Sequence, residues 1–285
     1  MPNPNSKPLA AGLYLIATPI GTARDITLRA LDILAAADVL VAEDTRSLRR
    51  LMEIHGVPFG DRPMYSYHEH NGGQMRPRLM AALADGKSVV YASEAGTPMI
   101  SDPGFDLARA AREEGFALTS APGASAVITA LTLAGLPTDR FFFAGFLPST
   151  KTARRRALEE VSAVPGTLVF YESPQRVAAM LEDAADILGD REGALARELT
   201  KKFEEVRRGK LSEIALSARE TPPKGEIVVL IERRSEKIRE SVPEERLREQ
   251  MQTMSVRDAV DFITAETGLP RRQVYQMAVK LSGEA

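Results

Sequence analysis

Residues 88–114 read SVVYASEAGTPMISDPGFDLARAAREE, and their order decides the fold. Ser88–Ala92 is a short apolar run, which predicts a buried strand. Gly104–Glu114 then spaces its apolar and charged residues as a helix does. Between them, the stretch Ala92–Gly104 is far longer than the ~2–6 residues of an ordinary connector. Gly96, Pro98, Pro103 and Gly104 constrain its path, and Ser101 or Asp102 is placed to cap the helix that Pro103 opens. Open α/β sheets bind ligands beyond the carboxyl ends of their strands. This loop is therefore a candidate ligand site, with backbone donors and acceptors exposed where a ligand lies.

The alternation extends outward. Leu13–Ala17, Val39–Ala42 and Ala117–Ser120 read as further strands, and Thr27–Ala37, Thr45–His55 and Gln74–Ala84 as helices. After a turn at Ala121–Gly123 comes a second set. Its strands are Phe141–Gly145, Thr167–Tyr171, Ala194–Glu198 and Ile227–Glu232; its helices are Ala124–Leu133, Thr152–Ser162, Arg176–Leu188 and Leu211–Ala218. Glu204–Arg208 reads as a strand able to hairpin with Ala194–Glu198, which makes the second sheet mixed. Strand–helix alternation of this kind predicts an α/β fold of two lobes.

From residue 235 the pattern becomes helical: Glu244–Met254, then Ser255–Thr267, then a third helix from near Pro270 to Leu281. Ser255 with Asp258 resembles a capping box, and Gly268 suits the C′ position. Helix, glycine-containing turn, helix is the helix-turn-helix pattern. The expected division is a leader at 1–11, a first lobe at 12–121, a second at 122–234, and a linker with helical tail at 235–285.

Composition bounds the function. No run approaches the ~18 apolar residues of a membrane span, and Met1–Pro8 is polar, a loose leader rather than a secretory signal. Cysteine is absent, which excludes disulfides and thiolate metal sites and suggests a cytoplasmic home. His55, His68 and His70 lack a spaced third ligand, so no metal is expected. A net charge of −2 argues against indiscriminate coating of nucleic acid and leaves RNA binding to local placement of charge.

Other strand ends carry chemistry too. Thr18–Asp25, after the first strand, is neither GxGxxG nor a P-loop, which sets aside the commonest NAD and ATP readings. Glu43-Asp44-Thr45-Arg46 is either a functional cluster or an ordinary acidic helix start. Ala196-Arg197-Glu198-Leu199-Thr200-Lys201-Lys202 gathers Arg, Glu and Lys where another strand ends. Lys151, Arg154, Arg155 and Arg156 share one short helical segment, suited to phosphates or to solvent.

Taken in order, these segments carry a resemblance. Thr18-Pro19-Ile20-Gly21 with Asp25-Ile26-Thr27, Ala42–Arg46, Ala95-Gly96-Thr97-Pro98 and Ser101-Asp102-Pro103-Gly104 are followed by Pro122-Gly123-Ala124-Ser125-Ala126. Phe146-Leu147-Pro148, Phe170-Tyr171-Glu172-Ser173 and Ala196–Lys201 continue the series. The chain resembles the ribosomal RNA small subunit methyltransferase I family, within the tetrapyrrole-methylase-like (class III) methyltransferases, from Gly12 to Glu232 and again in the helical tail. Glu94 stands where that family usually has Asp, and Thr22 where it has Asn.

The resemblance implies a homodimer that holds S-adenosylmethionine between its lobes. It also implies 2′-O-methylation of a cytidine in the decoding region of 16S rRNA, on the small ribosomal subunit. On this footing the donor is expected at Glu94, Ala95, Gly96, Thr97, Ile100 and Ser101, at Pro122, Gly123, Ala124 and Ser125, and at Tyr171. Glu198 is the first candidate base with Lys201 as its electrostatic partner, and Asp44 is the substitute. Arg46, Arg154, Arg155, Arg197, Arg271 and Arg272 are the expected RNA contacts. Two other readings stay open: the same fold methylating a tetrapyrrole carbon, and a non-catalytic RNA-binding module.

Overall fold

The computed structural model describes residues 8–68, 70–101, 104–234, 244–267 and 269–283. The expected caps at Asp102, Pro103 and Gly268 lie outside them, as do most of the leader and the linker at 235–243. The chain divides into one unit ending at Arg233 and another beginning at Arg234.

In the first unit, β1 (Gly12–Ile16), β2 (Val39–Ala42), β3 (Met64–Ser66), β4 (Ser88–Ala92) and β5 (Leu118–Ala121) form an all-parallel sheet ordered β3-β2-β4-β1-β5. Its crossovers are α1 (Leu28–Ala36), α2 (Thr45–Ile54), α3 (Gly72–Ala84) and α4 (Gly104–Glu113). Alternate side chains enter separate cores: Leu40 and Val90 pack with Leu34 and Met52, while Val41 and Tyr91 pack with Leu79 and Leu107. Both faces are thus covered, as a parallel sheet requires. The chain leaves β1 toward β2 and leaves β4 the opposite way toward β5. Right-handed crossovers then put α1 and α4 on opposite faces, and the carboxyl ends of β1 and β4 flank a crevice.

β3 is the element the sequence did not announce. It is three residues long and half-buried throughout, too short to show a period.

A second sheet follows, of β6 (Phe141–Phe146), β7 (Thr167–Glu172), β8 (Glu192–Arg197), β9 (Glu205–Lys210) and β10 (Ile227–Ile231), ordered β6-β7-β10-β8-β9. It is mixed, parallel only between β6 and β7, and β8–β9 is the expected hairpin. One face packs on α6 (Lys151–Val161), α7 (Val177–Leu188) and α8 (Leu211–Glu220). The other is covered by α5 (Ala126–Ala134) and by Ile20, which reaches over from the loop after β1. That contact brings the β1 and β4 crevice against the second sheet.

Arg154 corrects an expectation. Rather than facing phosphates it is buried, with Nη2 2.7 Å from Asp183, which Arg155 also meets at 2.9 Å. The segment's apolar stripe turns position 154 inward, where only a carboxylate makes a guanidinium tolerable.

The second unit holds α9 (Glu244–Thr253), α10 (Val256–Thr267) and α11 (Arg271–Gly283), closed around Leu247, Val260, Ile263 and Val274. Ser255 does cap α10, accepting from the Asp258 amide at 3.2 Å. Asp258, shorter than the usual Glu, meets the Ser255 hydroxyl at 2.6 Å. No helix among the described residues is long and apolar enough to cross a membrane.

Candidate active site

A cavity of about 420 Å³ opens where the two sheets meet. The loop after β4 supplies Glu94, Ala95, Gly96, Thr97, Ile100 and Ser101; the start of α5 adds Ser125 and Ala126; Phe146, Tyr171 and residues 225–228 close the far side. The loop is held by a two-way bridge, Thr18 N to Gly96 O and Gly96 N to Thr18 O, each 3.0 Å. Gly96 has φ +78°, where a side chain is strained, and an added Cβ would stand 3.2 Å from Ile20 Cγ2. Further along, Met99 and Ser101 take left-handed φ of 68° and 58°. Such strain persists only where surrounding structure imposes it, and it gathers at functional loops.

Of the expected donor residues, Pro122, Gly123 and Ala124 stand behind the wall. Gly123 lets the chain pass Ala17, whose Cβ would lie 2.9 Å from an added Cβ. Ala124 accepts the Thr97 hydroxyl at 3.1 Å.

A latch joins the lobes beside this cavity. The Thr22 amide donates to Thr200 Oγ1 at 3.0 Å, and the Thr22 hydroxyl donates to the Thr200 carbonyl. Gly21 is needed there, because a Cβ would meet Lys201 Cγ at 2.5 Å and Thr200 Oγ1 at 2.6 Å. Glu198 and Thr200 have φ of 50° and 62°, so the Glu198–Lys201 turn is strained as well. Thr22 thus makes its contact across the lobes, a role the sequence did not reveal.

Both carboxylates read as bases are committed to cations. Lys201 Nζ lies 2.9 Å from Glu198 and 3.0 Å from Glu226. The Lys201 hydrogen bond, against some burial, holds the Glu198 carboxyl below its ordinary value. Burial alone would lower the Lys201 ammonium, yet Glu198 and Glu226 together raise it. Asp44 accepts from Arg46 NH2 at 2.7 Å and from the Arg46 amide at 2.8 Å while capping α2, and the guanidinium pulls its carboxyl down to about 2.

A carboxyl whose folded value is depressed contributes stability above its ordinary ~3.9 and loses it as pH falls toward the lower value. Carbon-13 titration of Asp44 is therefore expected to show a midpoint near 2, and Arg46→Ala should return it most of the way to ~3.9. An unmoved midpoint in the variant would mean that the helix start, not the guanidinium, holds the charge.

The other expected arginines disperse. Arg197 pairs with Glu205 at 2.5 Å, Arg155 with Asp183 and Asp186, and Arg271 with Asp261 at 2.6 Å, while Arg272 is exposed.

Several lining residues were not among the expected donor contacts: Ile20, Phe146, residues 172–174, residues 225–228, and Glu43, which the sequence placed only in the Glu43–Arg46 cluster. The last group escaped a search of strand carboxyl ends because β10 runs antiparallel to β7, with Ile227 opposite Glu172. Its amino end therefore joins the site. The Pro222-Pro223-Lys224-Gly225 turn was the available signal.

The model of Tetrapyrrole (Corrin/Porphyrin) Methylases matches residues 12–215, and that of the RsmI C-terminal HTH domain matches residues 241–282. Ribosomal RNA small subunit methyltransferase I of Mesorhizobium japonicum is 50% identical over 229 residues, 79% of this chain and 76% of its own. The protein of that name from Halalkalibacterium halodurans is 41% identical over 93% of each chain. Cobalt precorrin-4 methyltransferase superposes with a TM-score of 0.58 at 17% identity, covering 77% of this chain and 94% of that one. Uroporphyrin-III C-methyl transferase from Thermus thermophilus, complexed with S-adenyl homocysteine, gives 0.54 at 21% identity, over 78% and 97%. These two likenesses speak for the fold alone. With its full-length relatives and both family models in agreement, the chain belongs to the tetrapyrrole methylases and, among them, to the ribosomal RNA small subunit methyltransferase I family.

Proposed function

We propose that this protein transfers a methyl group from S-adenosylmethionine to the 2′-hydroxyl of a cytidine in the decoding region of 16S rRNA. The observation that carries the donor assignment is the charge of the cavity. Glu43, Glu94, Glu172 and Glu226 line it; Glu172 is paired with Arg176 at 2.8 Å and Glu226 with Lys201 at 3.0 Å, and among the described residues no Lys or Arg lines the cavity itself. That suits a sulfonium cation and would repel a nucleotide phosphate. Ile20, Ile100, Phe146 and Val228 offer apolar wall to an adenosine, and the volume of about 420 Å³ falls among small-molecule sites of ~300–1,000 Å³. The family's relatives, named for small-subunit ribosomal RNA, supply the acceptor class.

When bound, the donor presents an activated methyl group to an incoming oxygen. The O2′–carbon bond forms as the sulfur–carbon bond breaks, and the hydroxyl proton must go to a base. Held ionised by their cations, Glu198 and Asp44 are weak bases; their proposed part is to fix Lys201 and Arg46 as positive charges beside the developing oxyanion and the RNA. Of the two, Glu198, with Lys201 Nζ 2.9 Å away, is the carboxylate proposed to take the proton. Holding the reactants in line does much of the rest.

A homodimer is part of the proposal. Phe141 and Phe142 on edge strand β6 are 44% and 41% exposed and offer apolar surface for it. The tail carries eight Lys or Arg against nine Asp or Glu from residue 236 on, so it is proposed as an auxiliary ribosome contact rather than a DNA reader.

Labelled donor, purified protein and small ribosomal subunits test the whole reading. Label is expected in 16S RNA, at a nucleotide whose 3′ linkage then resists alkali. Glu198→Gln should bind donor yet transfer slowly. Truncation after Glu232 should raise KM for subunits and spare donor affinity. Label entering only a porphyrin precursor, or nothing, would sink the proposal.

A further inference from the structure

A second cavity, of about 260 Å³, adjoins the first, and Glu94 stands in the wall of both. Its broad sides come from two elements: Leu48, Leu51 and Ile54 on α2, and Pro19, Gly21 and Ala23 on the loop after β1. Both sides are fixed. His55, the C-cap of α2, has Nε2 2.7 Å from the Ala23 carbonyl, to which it donates. Thr18, buried at the base of the loop, donates to the Ser93 carbonyl at 3.0 Å. The result is a slot whose two broad sides are apolar and whose remaining lining, Thr18, Asp44, Ser47, Arg50, Ser93 and Glu94, is polar.

The polar groups have a direction. Ser47 donates to Glu94 Oε1 at 2.9 Å, which aims the carboxylate. An ionised carboxylate only accepts hydrogen bonds. It therefore pairs with an exocyclic amino group, as on cytosine or adenine, and repels the ring carbonyl that uracil carries at the same edge. At the mouth stand Arg50 and the Asp44–Arg46 pair, with the Arg46 side chain 91% exposed, as a contact to flanking phosphates requires.

We propose that this second cavity receives the base of the acceptor nucleotide, swung out of its stack, and that Glu94 selects bases bearing an amino group. The inference rests on the reading that a ribose hydroxyl accepts the methyl group. With its amino group on Glu94, the base spans the slot and keeps its ribose across the ring, on the side of Arg50 and the Asp44–Arg46 pair.

Two variants test this on the full-length protein, with small subunits whose modified nucleotide has first been mapped using wild-type enzyme. Ile54→Trp adds bulk on the slot's α2 wall at a position 50% exposed, where the fold tolerates it. Transfer is expected to slow on the order of 10–100-fold with donor affinity unchanged. For selectivity, subunits are rebuilt with uridine in place of the mapped nucleotide. Wild-type enzyme should prefer cytidine by on the order of 10–100-fold, and Glu94→Gln, whose amide also donates, should erase most of that preference. Ser47→Ala should narrow it in the same direction, which keeps the question open to measurement should Ile54→Trp fail to fold. Wild-type transfer rates in folded Ile54→Trp would overturn the proposal. So would a cytidine preference left intact in Glu94→Gln at saturating donor; Glu94 also lines the donor cavity, so weaker donor binding is expected of that variant in any case. If wild-type enzyme labels no subunit at all, the acceptor reading itself fails, and this one with it.

Discussion

Gly96→Leu is expected to weaken S-adenosylmethionine binding on the order of 100-fold while leaving the protein folded. Gly96 lines the cavity proposed for the donor with φ +78°, and its missing Cβ leaves just 3.2 Å to Ile20 Cγ2 and 3.6 Å to the Ala124 carbonyl. Those two neighbours bar the longer atoms of leucine from the wall side and turn them into the cavity. Overpacking of this kind costs about 1–3 kcal/mol, and the left-handed backbone adds about 1–2 kcal/mol of strain to the folded state. The two effects separate by measurement. Calorimetry reads the lost affinity, while thermal unfolding reads the strain, which Gly96→Ala should largely reproduce with a smaller loss of binding. Undiminished affinity in folded Gly96→Leu would move the donor away from this loop.

Asp183→Ala should destabilise the protein by about 3–5 kcal/mol, the usual result of leaving a buried charge without its partner. The Asp183 side chain is 4% exposed, that of Arg154 7%, and the two lie 2.7 Å apart between α6 and α7. Burial pushes the Asp183 carboxyl up, but Arg154 and Arg155 outweigh it, so the net direction is down. A depressed carboxyl stabilises above its ordinary value and loses that contribution as pH falls through its folded value. Wild-type stability should accordingly drop in acid more steeply than that of the variant. Urea unfolding checks the size of the effect, and a double variant, Arg154→Leu with Asp183→Leu, should recover much of the loss. If the single variant loses under about 1 kcal/mol, water reaches Arg154 and the pair is effectively a surface one.

The strand–helix order was legible because each element announces itself locally. Val39–Ala42 and Ser88–Ala92 are unbroken apolar runs of the kind that parallel strands buried on both faces require. Thr27, Asp44 and Ser125 cap their helices through hydrogen bonds spanning two or three residues. The loop after β4 could be picked out as a cavity-lining loop for the same reason, since excess length and paired Gly and Pro are properties of the chain itself. Tertiary structure alone decided which side chains reach that site. Arg154 and Arg156 are near neighbours in sequence, yet one is buried against Asp183 and the other forms an exposed pair with Glu160. Residues 225–228 enter the first cavity because β10 reverses direction, and Ile20 enters because it crosses to the second sheet. Glu198 and Asp44 carry the charges expected of bases, but Lys201 and Arg46 hold those charges in place. Local sequence sets the backbone's preferences over a few residues, whereas a side chain's ionic partner and burial depend on segments that only folding brings together.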